Sequence, residues 1–400
     1  MEDTPQNNRN KATSLTKKVI FAFLNGIVLI ILTIGGASIE YGLGSEGAVM
    51  RYLNVVHAFG GRERYSSKDG DDFLPVNVGF DRELVGVKDE YGIPAGKRAV
   101  IDRRLLADFL DSIEGAPYKS LILDIRFYKE DSGNADSALF AAINRLPRLY
   151  VASNPDEDAV ETIDRDKIAA TEYAVSIVDN NFLKYKFESE QGPGMALAVY
   201  NQTENDSLRL TGKIPWVKGH FATSSLYLPI TYNPEEFYDA AGNKQVYNLG
   251  ADIMEVYSRE ELAAIADGKI VVVGDYIGGD RHETYTGNVN GPVILMNGII
   301  ALKRGDHLFN WWCIIIMTVI YTLIVLMLIE DPAKLLPWGL GKSKVWKFIT
   351  MFVSYSAILT TMNIAIYRFT GVIYDIFLPG IYLAIFYFII ENTTKKKWQR

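Results

Sequence analysis

The chain has 400 residues, a formal net charge of −7 and a single cysteine, Cys313. That length allows one or two domains with cores of their own. One cysteine excludes an intrachain disulfide, a C-x-x-C redox motif and a cysteine-based metal site. Apolar residues make up 48%, an ordinary value, but they are gathered into four blocks rather than spread evenly.

In chain order, residues 1–18 form a basic tail and residues 19–39 an apolar run without a charge. Residues 308–329 and 348–367 are two more uncharged runs, and 371–390 is a fourth with one acid, Asp375. Each is long enough for a spanning helix, which takes roughly 20 mostly apolar residues. The reading is four transmembrane helices, one before and three after a large polar region at 40–306. The first run could instead be a signal peptide, since Gly35, Gly36 and Ala37 suit a cleavage site; its length argues for a span.

Basic residues set the orientation. Arg9, Lys11, Lys17 and Lys18 precede the first run. Lys334, Lys342, Lys344 and Lys347 lie in or beside the 330–347 loop, and Lys395, Lys396, Lys397 and Arg400 fall in the 391–400 tail. The turn between the last two runs offers only Arg368. Four spans with a cytoplasmic start put all three clusters inside and residues 40–306 outside. Trp311 and Trp312 then sit at the outer end of the second span as interfacial anchors. Residues 40–306 carry 42 acids and 28 bases, against 6 and 13 elsewhere. An acidic outer region argues against nucleic acid as a partner.

Within that region, strand-like and helix-like segments alternate. Residues 74–80 read as a strand, and 103–113 as a helix with Leu105, Leu106, Phe109, Leu110 and Ile113 on one face. Residues 121–127 read as a strand, 135–146 as a helix and 149–152 as a strand. From 153 to about 248 the chain is rich in Asn, Asp, Tyr and Gly and reads as an insertion with hairpins. Ser258 and Glu261 spell a capping box, and Gly268 ends that helix. Residues 270–273 are a short apolar strand, and 292–302 a final helix. This alternation predicts an α/β layered fold with a mainly parallel sheet and flanking helices.

Two stretches resemble the CHASE2 family, extracytoplasmic sensory domains of bacterial membrane receptors. They are 101–139, IDRRLLADFLDSIEGAPYKSLILDIRFYKEDSGNADSAL, and 269–302, KIVVVGDYIGGDRHETYTGNVNGPVILMNGIIAL. In the first, Arg103, Ala107, Asp124, Ile125, Phe127, Asp136 and Leu139 follow the family's order. In the second, Gly274, Asp280, Gly291 and Asn297 do. The resemblance implies a multi-pass protein of the bacterial inner membrane, with one span before the domain and three after. It also implies that Arg103 faces a ligand pocket. Such chains commonly run on into a cytoplasmic kinase or cyclase; this one ends at residue 400, so a stand-alone form is expected.

Asp124 and Asp275 each follow apolar strand residues, where ligands of open α/β sheets gather; a cap, or a pair with Arg126 or Arg281, is the structural alternative. Asp280, Arg281, His282 and Glu283 form a polar run in a glycine-bordered loop. A metal site usually needs three or four placed ligands, and His57, His220 and His307 show no ligand spacing. Arg103, near a helix start where a cation is slightly unfavourable, calls for an acidic partner. Asp375 is an intramembrane acid, with Arg368 near enough to pair with it. Pro379 and Gly380 would kink the fourth helix mid-span. No nucleophile elbow, phosphate loop, zinc-protease or dinucleotide motif is present, so no cofactor is expected.

The expectation is a sensor that binds an unknown signal outside and acts through a separate signalling or effector protein, with a homodimer compatible. The alternatives are an extracytoplasmic enzyme using the acids around Asp280, and a structural or transport-associated subunit. The last should show polar residues facing each other across spans, and Asp375 is the sequence's one candidate.

Overall fold

The protein is described by a computed structural model covering residues 5–37, 39, 70–88, 91, 93–127, 134–153, 162–175, 182–189, 192–212, 215–228, 230–234, 245–285, 287–330, 344–370 and 372–398. Lys334, Lys342 and Arg400, and the side chains of Arg9, Lys11, Arg368 and Lys395 to Lys397, lie outside the described residues.

Six strands form one all-parallel sheet. Their order is Tyr247–Asn248, Phe73–Asn77, Ile270–Gly274, Ser120–Asp124, Leu149–Ser153 and Ile168–Ala170. The last strand reached along the chain thus inserts between the first two long ones. Side chains alternate across it. Leu121, Leu123, Val271 and Val273 enter one core with the helices Arg103–Ile113, Asn134–Arg145 and Arg259–Ala266. Ile122, Ile270 and Val272 enter the other, with Met195–Thr203 and Gly291–Arg304. Strands buried on both faces need continuous apolar runs, which explains sequences such as IVVVG.

The helix ends follow local chemistry. The Asp102 side chain accepts from the amides of Arg104 and Leu105 at 2.9 and 3.1 Å, starting Arg103–Ile113. Ser258 and Glu261 form the capping box of Arg259–Ala266, and Gly268 leaves it at φ +66°. Two strands are shorter than expected. Residues 74–80 give Phe73–Asn77 because Asn77 Oδ1 accepts from the Gly79 amide at 3.0 Å and turns the chain. Residues 121–127 give Ser120–Asp124, which ends on the carboxylate.

The middle insertion contains a helix, Met195–Thr203, besides its short strands. A smaller sheet joins Tyr173–Val175, Phe182–Lys186, Ser225–Tyr227, Arg281–Thr284 and Gly287–Asn290. A hairpin, Arg82–Lys88 with Pro94–Ile101, stands apart from both sheets.

Three helical stretches, Leu15–Ala37, Trp311–Glu330 and Val345–Tyr367, are long and apolar enough to cross a membrane, and Phe377–Glu391 is a shorter apolar one. Two expected boundaries are corrected. The helix of the second run starts at Trp311 rather than 308, because Leu308–Phe309 is a strand paired with His220–Ala222; Asn310 caps the helix through the Cys313 amide at 2.8 Å. The helix of the fourth run starts at Phe377, not 371. Pro379 therefore lies in its first turn, where a missing N–H costs nothing, and it makes no mid-span kink. Polar pairs cross between these helices: Thr33 with Tyr321 at 2.7 Å, and Tyr382 donating to Asn25.

Candidate functional site

A cavity of about 540 Å³ opens beyond the carboxyl ends of Ile270–Gly274 and Ser120–Asp124. In open parallel sheets, that edge and the place where strand order changes are where ligands sit. Arg103, Asp124, Asp275, Asp280 and His282 all line it. The five come from two distant parts of the chain, brought together because Gly274 pairs with Asp124 in the sheet register.

Asp275 is committed to holding its own loop. It accepts from the amides of Ile277, Gly278 and Gly279 at 2.9, 3.1 and 2.8 Å, and from the Arg82 guanidinium. Burial opposes its ionisation, but those amides and Arg82 outweigh burial and hold its pKa below the usual carboxylate value. The partner is Arg82, from the hairpin, not Arg281, whose guanidinium donates to the Ile277 carbonyl at 3.0 Å.

Asp124 is the opposite case. Among the described residues nothing donates a hydrogen bond to its carboxylate. Burial, then the charge of Asp280, pushes its pKa up to about 7, against a smaller pull from His282 and Arg126. Gly291 shows how close the two acids are. A Cβ there would lie 2.1 Å from Asp280 Oδ2 and 3.1 Å from Asp124 Oδ2. The oxygens are therefore no farther apart than those two distances end to end. Only glycine lets the first turn of Gly291–Arg304 pass between them.

His282 Nε2 lies 3.2 Å from Asp280 Oδ1. Its ring meets Tyr173 edge-on at 5.1 Å and Phe182 at 6.3 Å. Arg103 is 3% exposed, 3.5 Å from Asp136 and 4.6 Å over the Phe127 ring; its acidic partner is thus on the next helix. Among the described residues, no three His, Cys, Asp or Glu groups are placed to hold a metal ion.

Sequence reasoning missed Arg82 and Arg98 of the hairpin and Glu172, Tyr173, Phe182 and Tyr185 of the insertion, all of which line the cavity. No local pattern marks them; they arrive through sheet pairing. Asn297, part of the family-like stretch, lies elsewhere. Its Oδ1 accepts from the Thr231 and Tyr232 amides at 2.7 and 3.0 Å, and its Nδ2 donates to the Tyr232 and Val293 carbonyls. It clamps the insertion to the last helix.

Asp375 is fully buried in the extended segment before Phe377–Trp398. Its Oδ1 caps that helix through the Phe377 amide at 2.6 Å, beside Gly36 of the first helix. It is therefore a cap before the helix rather than a residue within it. The expected pair with Arg368 lies outside the described residues.

No protein-family model, curated protein or solved structure matches the chain.

Proposed function

We infer that the chain is a membrane-anchored sensor of the CHASE2 kind. Four spans hold residues 40–306 outside the cytoplasm, the cavity binds a small polar ligand, and the spans pass its occupancy to a separate protein. The observation that carries this reading is a shared strand. Phe182 and Tyr185 line the cavity, and Lys184 between them is fully buried. Its ammonium donates to the carbonyls of Ala37 and Ile39 at 3.1 and 2.6 Å and lies 4.4 Å over the Tyr227 ring. A cation at the carbonyl end of a helix satisfies its orphan acceptors and its dipole. One strand thus touches both the ligand cavity and the end of the first apolar helix.

The second apolar helix is held as firmly. Gly305, at φ +74°, ends Gly291–Arg304; the chain then passes through the buried Asp306 and His307 into Leu308–Phe309. The Thr223 amide donates to the His307 carbonyl at 3.0 Å. Small shifts of the last domain helix can therefore reach the helix from Trp311, a recognised switching motion.

The test uses the full chain in lipid nanodiscs. Ligand binding should change hydrogen exchange at residues 344–350. Five flexible residues inserted after Gly305 should preserve binding and abolish that change. A change surviving the insertion would refute coupling through the second span. A binder with no exchange response in the unmodified chain would make it a passive receptor.

A further inference from the structure

We propose that a small three-stranded sheet of the α/β domain rests on the bilayer surface, with Trp216 set at the lipid interface beside Trp311 and Trp312. The proposal rests on reading Trp311–Glu330 as a membrane span and adds a lipid contact made by the domain itself.

The sheet joins Trp216–Val217, His220–Ala222 and Leu308–Phe309. Alternate residues of a strand face opposite ways, and here the two faces meet different cores. Val217 and Ala222 belong to a core of the α/β domain, and Leu308 packs against it. On the other face Trp216 pairs with Phe221, and Phe221 with Phe309. Phe309 belongs to the core of the apolar helices, and Phe221 packs against that one. The sheet is thus a layer between the domain and those helices. Trp216, on its edge strand, is taken into neither core and stays 55% exposed.

The Trp216 ring meets Phe221 edge-on at 4.7 Å and Trp311 at 6.2 Å. Trp311 opens its helix and is 50% exposed, and Trp312 is 73% exposed. Three tryptophans therefore stand exposed together at one end of an apolar helix. An exposed apolar patch of this kind marks a contact surface. Tryptophan joins a large apolar ring to one N–H donor and collects where hydrocarbon meets water. Trp311 is the first residue of the span, so its level in the membrane is the interface, and Trp216 shares that level. The bilayer that holds the span is accordingly the occupant this patch fits.

Trp216 is far from Trp311 in sequence and arrives through the pairing of His220–Ala222 with Leu308–Phe309. Backbone bonds fix the corner. The Ala222 amide donates to the Pro215 carbonyl at 2.8 Å, and the Thr223 amide to the His307 carbonyl at 3.0 Å. A sheet so tied to the start of the span holds the domain down on the membrane at a second point.

The test compares the full chain in phosphatidylcholine nanodiscs with the same chain in discs whose lipid is brominated near the head of its acyl chains. Bromine quenches tryptophan emission on contact. Trp216→Phe and Trp312→Phe are measured beside the wild type, and Trp216→Tyr repeats the first with another ring. Each should lower the bromine-quenched emission, Trp216→Phe by at least about half as much as Trp312→Phe, since the rings lie at one level. If Trp312→Phe lowers it and neither Trp216 variant does, the span stands and the domain contact falls. If none of the variants lowers it, both fall. A Trp216 contribution found only in discs that hold a single chain would assign the face to a second copy and overturn the proposal.

Discussion

Asp124→Asn tests the electrostatics of the site apart from any ligand. Asp124 binds its proton up to about pH 7 when folded, whereas an unfolded chain releases it near the ordinary value of 3.8. Between those values the native state holds more protons than the unfolded one, so stability falls as pH rises. Below about pH 4 both states are protonated and the penalty vanishes; above about pH 7 it is complete. Three pKa units correspond to about 4 kcal/mol as an upper limit, and partial access to water through the cavity reduces this to about 2. Asparagine keeps the shape and cannot ionise. The variant should match the wild type at pH 4 and exceed it at pH 8 by about 4–8 °C in Tm, the shift expected of ~2 kcal/mol in a domain of this size. Scanning calorimetry of the full chain in detergent at both pH values reads this directly. A variant that is less stable at pH 8, or equally affected at both pH values, would refute the account of a destabilised carboxylate.

Three further outcomes follow from single contacts. Gly291→Ala should destabilise by less than ~1 kcal/mol, because the displaced Asp280 side chain is partly exposed, yet it should remove binding by forcing the two acids apart; calorimetry on the same sample measures both. Asn297→Ala removes the side-chain acceptor of the buried Thr231 and Tyr232 amides and the clamp between the insertion and the last helix, and should cost at least ~3 kcal/mol by denaturant titration. Lys184→Met should leave cavity binding intact but raise hydrogen exchange in the last turn of the first apolar helix, because it removes the cap on the Ala37 and Ile39 carbonyls; unchanged exchange there would show that the lysine holds nothing.

The parallel sheet, its double-sided burial and the helices around it were legible because their signals are local. Ile270–Gly274 is apolar throughout, Arg103–Ile113 repeats at helical spacing, and Ser258 with Glu261 marks a start. The convergence of Asp124, Asp275 and Asp280 was legible from one rule about strand ends. Their different roles were not. Asp275 is saturated by three amides of its own loop, while Asp124 has no hydrogen-bond donor among the described residues, and nothing in either sequence neighbourhood separates the two cases. Arg82 and Tyr173 reach the cavity through pairings with no sequence signature. The apolar residues around Asp375 placed it inside the fourth helix; the helix begins two residues later, and the acid is its cap. Hydropathy reports burial, and a cap buried beside another helix has the same hydropathy as a residue within the helix.

The topology separates four spans from three. Three helical stretches meet the length and hydropathy of a span, and Phe377–Glu391 is shorter. On the proposed orientation, four crossings put both termini in the cytoplasm, whereas three would put the end of the chain on the side of the α/β domain. In a Cys313→Ala background, single cysteines Gly242→Cys and Thr393→Cys are exposed to an impermeant thiol reagent on intact spheroplasts and after lysis. The account predicts that Gly242→Cys reacts on intact cells and Thr393→Cys only after lysis. Labelling of Thr393→Cys on intact cells, or protection of Gly242→Cys, would contradict a sensor domain held outside by four spans.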